Sequence, residues 1–591
     1  MPVRHRKIAS GLFFAWVSGL FVGGLAAEPV YTPAGYGSGE SLESVGWGVG
    51  TGYSTINDDI YITVSPTFEL PLLMFRVGLQ VPLEVLVLDR EPKTGEKVPS
   101  IRAGTYDGWD DYLKLVQYVK YGTHLYYDPD DTFNWSFHYG KLNDGWLGHK
   151  TVVYRYVNNY DPTIFRAGLM ADINNNWGGV EYFASDIWRR EAVGWRGYVR
   201  PWGVISGFHD LFLVRNSLPA ARQVAMSIRE SHDPAIQRGT YYQARIPEHG
   251  EGGSIGQHFH GNIGTEAEQL ENTDVRFEEF RDPETGQTQV RAVPVPPGQA
   301  DEEDDDGGEE WGPSFWNRFA IGYFFVQDVD APLDLERDGS GNLVVDPETL
   351  RPRSDTTETL TISGWDAEFR LSPFTFLELT PYVDFPRVEH LEGSKATHAG
   401  IDAGFTFGTF KITVRPEYRE HASNYIPVYF DQYHVIERTI YNPGGSGDST
   451  EGAGSNNVTK LAYLQSLPED GEMVKGYFAQ VLLEWVQNFV VDATYEDYDG
   501  LDNSRIYVGL YVPAVADVFL NGYYTKKNYD DIRESFEYDD RSLAALQVGY
   551  LLFGGMSITV EFKRTWEYDS TTSSYVPNDE ITYGLGYSAV F

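Results

Sequence analysis

Three groups of residues in this 591-residue chain have the types and spacing that chemistry needs. His258 and His260 stand two apart, with His249, Glu248 and Glu251 close by. Imidazoles at that spacing share one face of a strand and suit a divalent transition metal, but no third fixed ligand stands beside them, and a flexible Gly-rich loop is the simpler reading. Asp334, Glu336, Asp338, Gly339 and Asn342 space their oxygens like the start of a calcium loop, and Asp346 follows. Val345 stands where a bidentate acid would close that loop, and Asp338-Gly339-Ser340-Gly341-Asn342 is also a good hairpin turn between Leu335 and Leu343. The acids of Asp301 to Asp306 could attract cations, or be a solvated charge run. For hydrolysis there are His209-Asp210, Ser231-His232-Asp233, and His434 near Asp431, none of them in a Gly-x-Ser-x-Gly elbow. No enzyme is expected, and no cofactor beyond a candidate divalent cation.

A fourth set is larger and diffuse. Arg76, Gln80 and Glu84; Arg166 and Asp172; Glu378 and Asp384; Lys411 and Arg415; Gln480 and Glu484; Asp492 and Glu496; and Glu561 and Lys563 all lie on the polar side of runs whose alternate residues are apolar. Side chains two apart on a strand share a face, so these polar residues line one wall and the apolar residues the other. Both signs of charge point to the same side. Such a wall needs water or paired protein against it, because a lone charge in a dry interior costs several kcal/mol.

Strands must position them. Leu73, Phe75, Val77, Leu79, Val81, Leu83, Val85 and Val87 are apolar, with Arg76, Gly78, Gln80 and Glu84 between them. The charges, with Pro71 and Pro82, exclude a membrane helix there, and no later uncharged apolar stretch is long enough for one. At the chain's end, Ile581, Tyr583, Leu585, Tyr587, Ala589 and Phe591 fall on one face and Thr582, Gly584, Gly586 and Ser588 on the other. That is a strand with lipid outside and a wet lumen inside. At the start, Arg4, His5, Arg6 and Lys7 precede an apolar, acid-free run from Ile8 to Val22 and small residues to Ala26 and Ala27, which reads as a cleaved secretory signal peptide over 1–27.

Composition agrees. Aromatics are 15% of the chain, with 40 Tyr, 33 Phe and 14 Trp, and there are 61 Gly. Tyr and Gly suit barrel girdles and tight barrel walls. With no Cys, neither a disulfide nor a thiolate metal site exists. A net charge of −40 excludes nucleic acid and anionic membrane surfaces as partners and favours cations.

Past a short segment over 28–45, alternating runs are expected at 46–54, 59–69, 72–88, 112–122, 133–141, 164–174, 179–187 and 195–205. Twelve more follow within 315–591, joined alternately by tight turns and by long polar loops such as 328–358, 386–398, 419–475 and 526–542. The fold expected is an all-β, antiparallel up-and-down barrel of about 20 strands, within a range of roughly 16 to 22. The region 206–314 breaks the rhythm and ends in an acidic, Pro-rich stretch expected to be partly disordered. Eight strands precede it, so with the termini inside it falls on the periplasmic side or in the lumen.

On the signal peptide, the alternating strands and terminal Phe591, the chain resembles bacterial outer-membrane β-barrels as a class, and matches no named porin family. The segment between Ala27 and Gly46 is too short for the plug of an energy-coupled transporter. The resemblance implies an outer-membrane location, lipid around the wall, and the barrel-assembly machinery as a partner through the C-terminal strand. It also implies a pore for small hydrophilic solutes, which the acidity tilts towards cations, or else a plugged scaffold that displays loops or tethers a periplasmic partner. Loop 419–475 is a candidate to fold inward and narrow the channel.

Overall fold

The computed structural model describes residues 46–56, 59–72, 75–81, 83–88, 99–101, 112, 115–121, 133–159, 166–175, 177–204, 275–281, 288–294, 318–346, 351–374, 376–441, 458–485, 489–500, 502–515, 517–539, 541–552, 556–569 and 573–587. The signal peptide, His258, His260, most of 206–314 and Phe591 lie outside these.

Alternation at period two gives strands almost everywhere it occurs. The N-terminal part holds β1 (Gly46–Ile56), β2 (Asp59–Leu72), β3 (Phe75–Gln80), β4 (Leu83–Leu88), β5 (Ser100–Ile101), β6 (Val116–Tyr121) and β7 (Asn134–Gly140). A small hairpin, β8 (Gly145–Leu147) and β9 (Val153–Tyr156), precedes β10 (Gly168–Asn175), β11 (Gly178–Ala184) and β12 (Ala192–Val199). Within the insertion, β13 (Val275–Arg281) pairs only with β14 (Thr288–Pro294). Then come β15 (Phe319–Leu335), β16 (Ser354–Phe369), β17 (Leu371–Phe374), β18 (Leu377–Val388), β19 (Ala396–Phe407) and β20 (Phe410–His421). The last set is β21 (Val474–Trp485), β22 (Phe489–Tyr498), β23 (Ser504–Val515), β24 (Val518–Tyr529), β25 (Ser542–Leu551), β26 (Met556–Asp569) and β27 (Ser574–Tyr587).

All but β8, β9, β13 and β14 join one 23-stranded antiparallel sheet. Three staves of that sheet are broken in two: β3 and β4 both pair with β2, β5 and β6 pair with β4 and β3, and β16 and β17 both pair with β18. Among the described residues this leaves twenty staves, eight before the insertion and twelve after, each paired with its sequence neighbours. The first strand lies against the last, so the sheet curls until its ends meet. This is the expected barrel, with small local corrections. The run read as one strand over 72–88 ends β2 at Leu72 and breaks at Pro82, which has no N–H for the ladder. The run read over 195–205 is β12, ending at Val199 where Pro201 opens a helical turn over 201–204.

Polarity is inverted relative to a soluble protein. In β21, Tyr477, Ala479, Val481 and Trp485 are exposed while Phe478, Gln480 and Glu484 are buried. Trp365 is 61% and Tyr477 68% exposed, whereas Arg419 and Asp328 are 0%. Outward aromatics form a girdle at the tight-turn end, where Phe374, Phe376 and Phe407 stack in succession and Phe410, Trp485 and Phe489 continue the row. Tyr418 and Tyr477 pack together towards the other end, eight residues along β20 from Phe410. At ~3.4 Å per residue and ~40° of tilt, the two rows stand roughly 20 Å apart along the barrel axis, near the ~25 Å apolar band of a transmembrane barrel.

Up-and-down topology puts the Leu72 end of β2, the Asn175 end of β10, the Phe374 end of β17, the Phe407 end of β19, the Trp485 end of β21 and the Val515 end of β23 at one end, together with the Val199 end of β12. The long connections, 141–167 and 422–473 among them, leave from the other end.

Candidate functional site

The described residues of both long connections turn into the barrel. β7 ends at Gly140, whose φ of +120° suits glycine and whose added Cβ would meet the Gln117 carbonyl at 2.1 Å. From there a strap, 141–159, crosses the lumen as the β8–β9 hairpin, turning at Gly148 (φ +56°) and Lys150 (φ +64°). The second connection follows β20 and carries two helices, α1 (His434–Glu437) and α2 (Lys460–Ser466), the latter N-capped by the Thr459 hydroxyl accepting from Ala462 N at 3.1 Å.

The two segments bond main chain to main chain inside the barrel. Val428 N donates to Thr151 O, Phe430 N to Val152 O and Tyr154 N to Phe430 O, each at 3.1 Å. Their apolar side chains form the core of the molecule. Leu142, Leu147, Val152 and Tyr156 of the strap pack with Tyr429, Phe430, Leu461 and Leu464 and with the wall residues Phe183, Phe324, Val326 and Ile362. A lumen wider than wall side chains can fill is here filled by the chain's own connections.

Charge pairs clamp this filling to the wall. His149 Nδ1 lies 2.6 Å from Asp384 and Nε2 2.8 Å from Glu368, with Thr151 Oγ1 donating to Asp384 at 2.6 Å. Arg155 donates to Asp492 at 2.6 Å and Thr494 at 2.8 Å, its guanidinium 3.4 Å above the Tyr507 ring. Arg415 donates to the His149 carbonyl and, at 2.6 Å, to Tyr382 Oη, which in turn donates to Glu417. Arg419 bridges Glu417 and Glu496. Arg196 links Glu181 at 2.7 Å to Asp366 at 2.6 Å. On the second segment, Arg438 donates to Asp328 at 2.7 Å, Asp431 pairs with Arg505 at 2.8 Å, and Glu437 takes Lys460 and Lys527.

The field of these pairs sets the protonation of the inserted groups. Burial pulls the His149 imidazole down, but the Asp384 and Glu368 carboxylates outweigh it and push its pKa up to about 10, so the bridge is charged. Burial lowers Lys460 to about 8. Burial, with Lys460 and Arg438 nearby, holds His434 well below the usual imidazole range and therefore neutral. Burial would raise Asp431, but Arg505, Lys460 and Lys527 keep it low.

The polar residues expected on the inner wall divide by depth. Asp384, Arg415, Gln480, Asp492 and Glu496 are buried and join the clamp, with Gln480 donating to Asp492 at 2.9 Å. Asp172 is buried with Ser136 and Asn174, and Glu484 is buried towards the tight-turn end of β21. Arg166 stands just before β10, tied to Glu191 at 2.6 and 3.1 Å. Glu378 is exposed, and Arg76, Gln80, Lys411, Glu561 and Lys563 are half-buried. Glu84 sits in β4 opposite Thr63. Sequence reasoning missed Glu417 and Arg419, which lie two and four residues from Arg415 on the same face, and likewise Asp366 and Glu368. It missed His149 and Arg155 altogether, because no strand was read between 141 and 164.

The other candidates have different employment. Asp338 Oδ1 accepts from Ser340 N and Asn342 N, both at 2.8 Å, and Oδ2 from Asn342 Nδ2, so it holds a turn. Asp334 accepts from Leu335 N, and Glu336 lies 3.6 Å from Arg353. Among the described residues no group of three or more His, Asp or Glu side chains is placed to hold a metal ion. His434 and Asp431 meet through the main chain, His434 N donating to Asp431 O at 3.2 Å, and the acid nearest His434 Nε2 is Asp328 at 3.5 Å.

The fold and its contents define a transmembrane-type antiparallel β-barrel whose lumen is occupied by its own loops. No protein-family model and no curated protein matches the chain. Among solved structures it is similar to a mutant ferric enterobactin receptor of Pseudomonas aeruginosa, at 9% identity and a TM-score of 0.29, covering 93% of this chain and 81% of that one. It is also similar to Pseudomonas aeruginosa OccK10, at 8% identity and a TM-score of 0.27 over 93% of this chain and 100% of that one. A third is the siderophore receptor PirA of Acinetobacter baumannii, at 8% identity and a TM-score of 0.30 over 93% and 81%. At such scores these likenesses carry no weight for activity.

Proposed function

We propose that this chain is a bacterial outer-membrane barrel, exported by its leader, that passes small hydrophilic solutes through a lumen restricted by the strap and the 422–473 connection. The observation that carries the reading is the inverted polarity: apolar side chains bounded by aromatic rows on the outside, ionic side chains on the inside. Water or paired protein must face that inner wall, and both needs are met if solvent occupies the tight-turn end, where Glu378 is exposed and Lys411 half-buried, and protein occupies the other. In this reading the tight turns, both termini and the insertion face the periplasm.

The clamp is close to charge-balanced, since His149, Arg155, Arg196, Arg415 and Arg419 each meet carboxylates. A cation preference would therefore come from the acidic loops and mouth rather than from the paired wall. Planar bilayers test the whole reading. Pure protein should give small conductance steps with a reversal potential on the cation side; a firm anion preference would overturn the selectivity. The second reading, a closed scaffold, is favoured by the continuous core inside the barrel. It predicts silence both before and after the strap is removed.

A further inference from the structure

The connection from β24 to β25 turns outward over residues 530–539, unlike the two that fill the lumen. Val518, Val548, Val560 and Tyr583 are exposed on the outer face of β24 to β27, and Lys526, Ser542, Arg564 and Asp579 share their parity on the same four strands. Lys526, Ser542 and Arg564 are nevertheless buried, because this connection lies over them. Lys526 Nζ donates to the carbonyls of Glu534 and Glu537 at 2.6 and 3.0 Å, Tyr524 Oη to that of Ser535 at 2.7 Å, and Arg564 Nη1 to that of Asp539 at 2.7 Å. Tyr538 closes the contact, its ring 3.7 Å from the Arg564 guanidinium and its hydroxyl donating to Asp579 at 3.2 Å.

Counting along the strands gives the depth of this fold-back. Lys526 and Arg564 stand eight residues from Val518 and Met556, the first residues of β24 and β26, as Tyr418 stands eight from Phe410. The segment is therefore level with the row of Tyr418 and Tyr477, at the edge of the apolar band. Phe536 is 77% exposed, Ile532 50% and Tyr538 45%, so the segment extends the apolar wall sideways. A segment that meets lipid must satisfy its own main chain, and here wall side chains hold the carbonyls of the single 3₁₀ turn, Glu534–Phe536, and of its flanks.

We propose that 532–538 is an interfacial anchor, with Ile532 and Phe536 set into the boundary between headgroups and acyl chains of the surrounding membrane. The inference rests on the proposed membrane location. Lipid is the occupant because the segment is continuous with the exposed apolar wall of β24 to β27 beneath it. Exposed Asp530, Asp531, Arg533 and Glu537 keep it from sinking deeper. Lys526 pairs with Asp539 at 2.9 Å and Arg564 with Asp579 at 2.7 Å, so charge selects no particular headgroup.

The chain has no Cys, so single cysteines carry a fluorescent label without background. Full-length Phe536→Cys, labelled and refolded into phosphatidylcholine vesicles, should be quenched severalfold more by lipid carrying a shallow nitroxide than by iodide added to both faces. Val548→Cys on the wall should be quenched by a deep nitroxide, and Ser340→Cys, in an exposed turn, by iodide. A label at 536 that iodide quenches as it does the label at 340, or that a second copy of the chain shields from both quenchers, would overturn the anchor and leave the barrel reading standing. A label at 548 open to iodide and closed to nitroxide would overturn both.

Discussion

At the residue scale the decisive contact is His149 between Asp384 and Glu368, because it joins the strap to two staves of the wall at once. Taking away one partner of a buried pair leaves a charge without compensation and costs about 3–5 kcal/mol. Asp384→Ala should therefore lower the denaturant midpoint of the refolded barrel and raise single-channel conductance, while Asp384→Ala with His149→Ala should recover part of the stability. Additive losses in the double variant would show that the two side chains are not coupled. The same contact fixes a pH dependence. The His149 pKa rises on folding from its ordinary value near 6.5 to about 10, so its stabilising contribution is complete below roughly pH 6.5 and is lost as pH climbs through 10. Conductance should rise between pH 8 and 10.5 in wild type and stay flat over that window in His149→Ala. Asp384 was legible in the sequence as an inward polar residue; its partner was not, since Gly148-His149-Lys150 belongs to no periodic run and only the fold brings it across 235 positions.

At the element scale, strands declared themselves because period two is a local property. The strap did not, although a clue was present: Thr151, Val152, Val153, Tyr154, Arg155 and Tyr156 form a β-branched and aromatic run that would be costly in a solvent loop, and all six are buried. Reading connections only by their polarity hid it between Lys141 and Arg166. Loop 419–475, by contrast, was a candidate to fold inward, and among its described residues Tyr425, Tyr429, Phe430, Leu461 and Leu464 do pack inside the barrel. Removing 143–157 in favour of a short Gly-Ser link takes away Arg155 and the main-chain bonds to 428–430, and exposes Phe183, Phe324 and Val326 to the lumen. Conductance of that variant should rise severalfold while the twenty staves still assemble, checked by circular dichroism and gel mobility. Unchanged conductance would place the restriction in the 422–473 connection instead.

At the scale of the whole molecule, parity decides where the insertion goes. Eight staves precede it and twelve follow, so it departs from the tight-turn end, opposite to the end from which both plugging connections enter. By parity alone, 206–314 falls on the periplasmic side or in the lumen. The described core shows that the lumen at the far end is filled without it: each member of that core belongs to the wall, the strap or the 422–473 connection. A second plug from the opposite end is not needed to satisfy the buried charges of the clamp, which pair among themselves. Deleting 239–308 should therefore leave both conductance and its reversal potential where they are in wild type, while a jump in current would mean that the insertion reaches into the barrel from below. The same deletion in a 143–157 variant discriminates further. If the strap alone restricts flow, the two deletions together should conduct as the strap deletion does by itself, since distant sites without shared partners act independently.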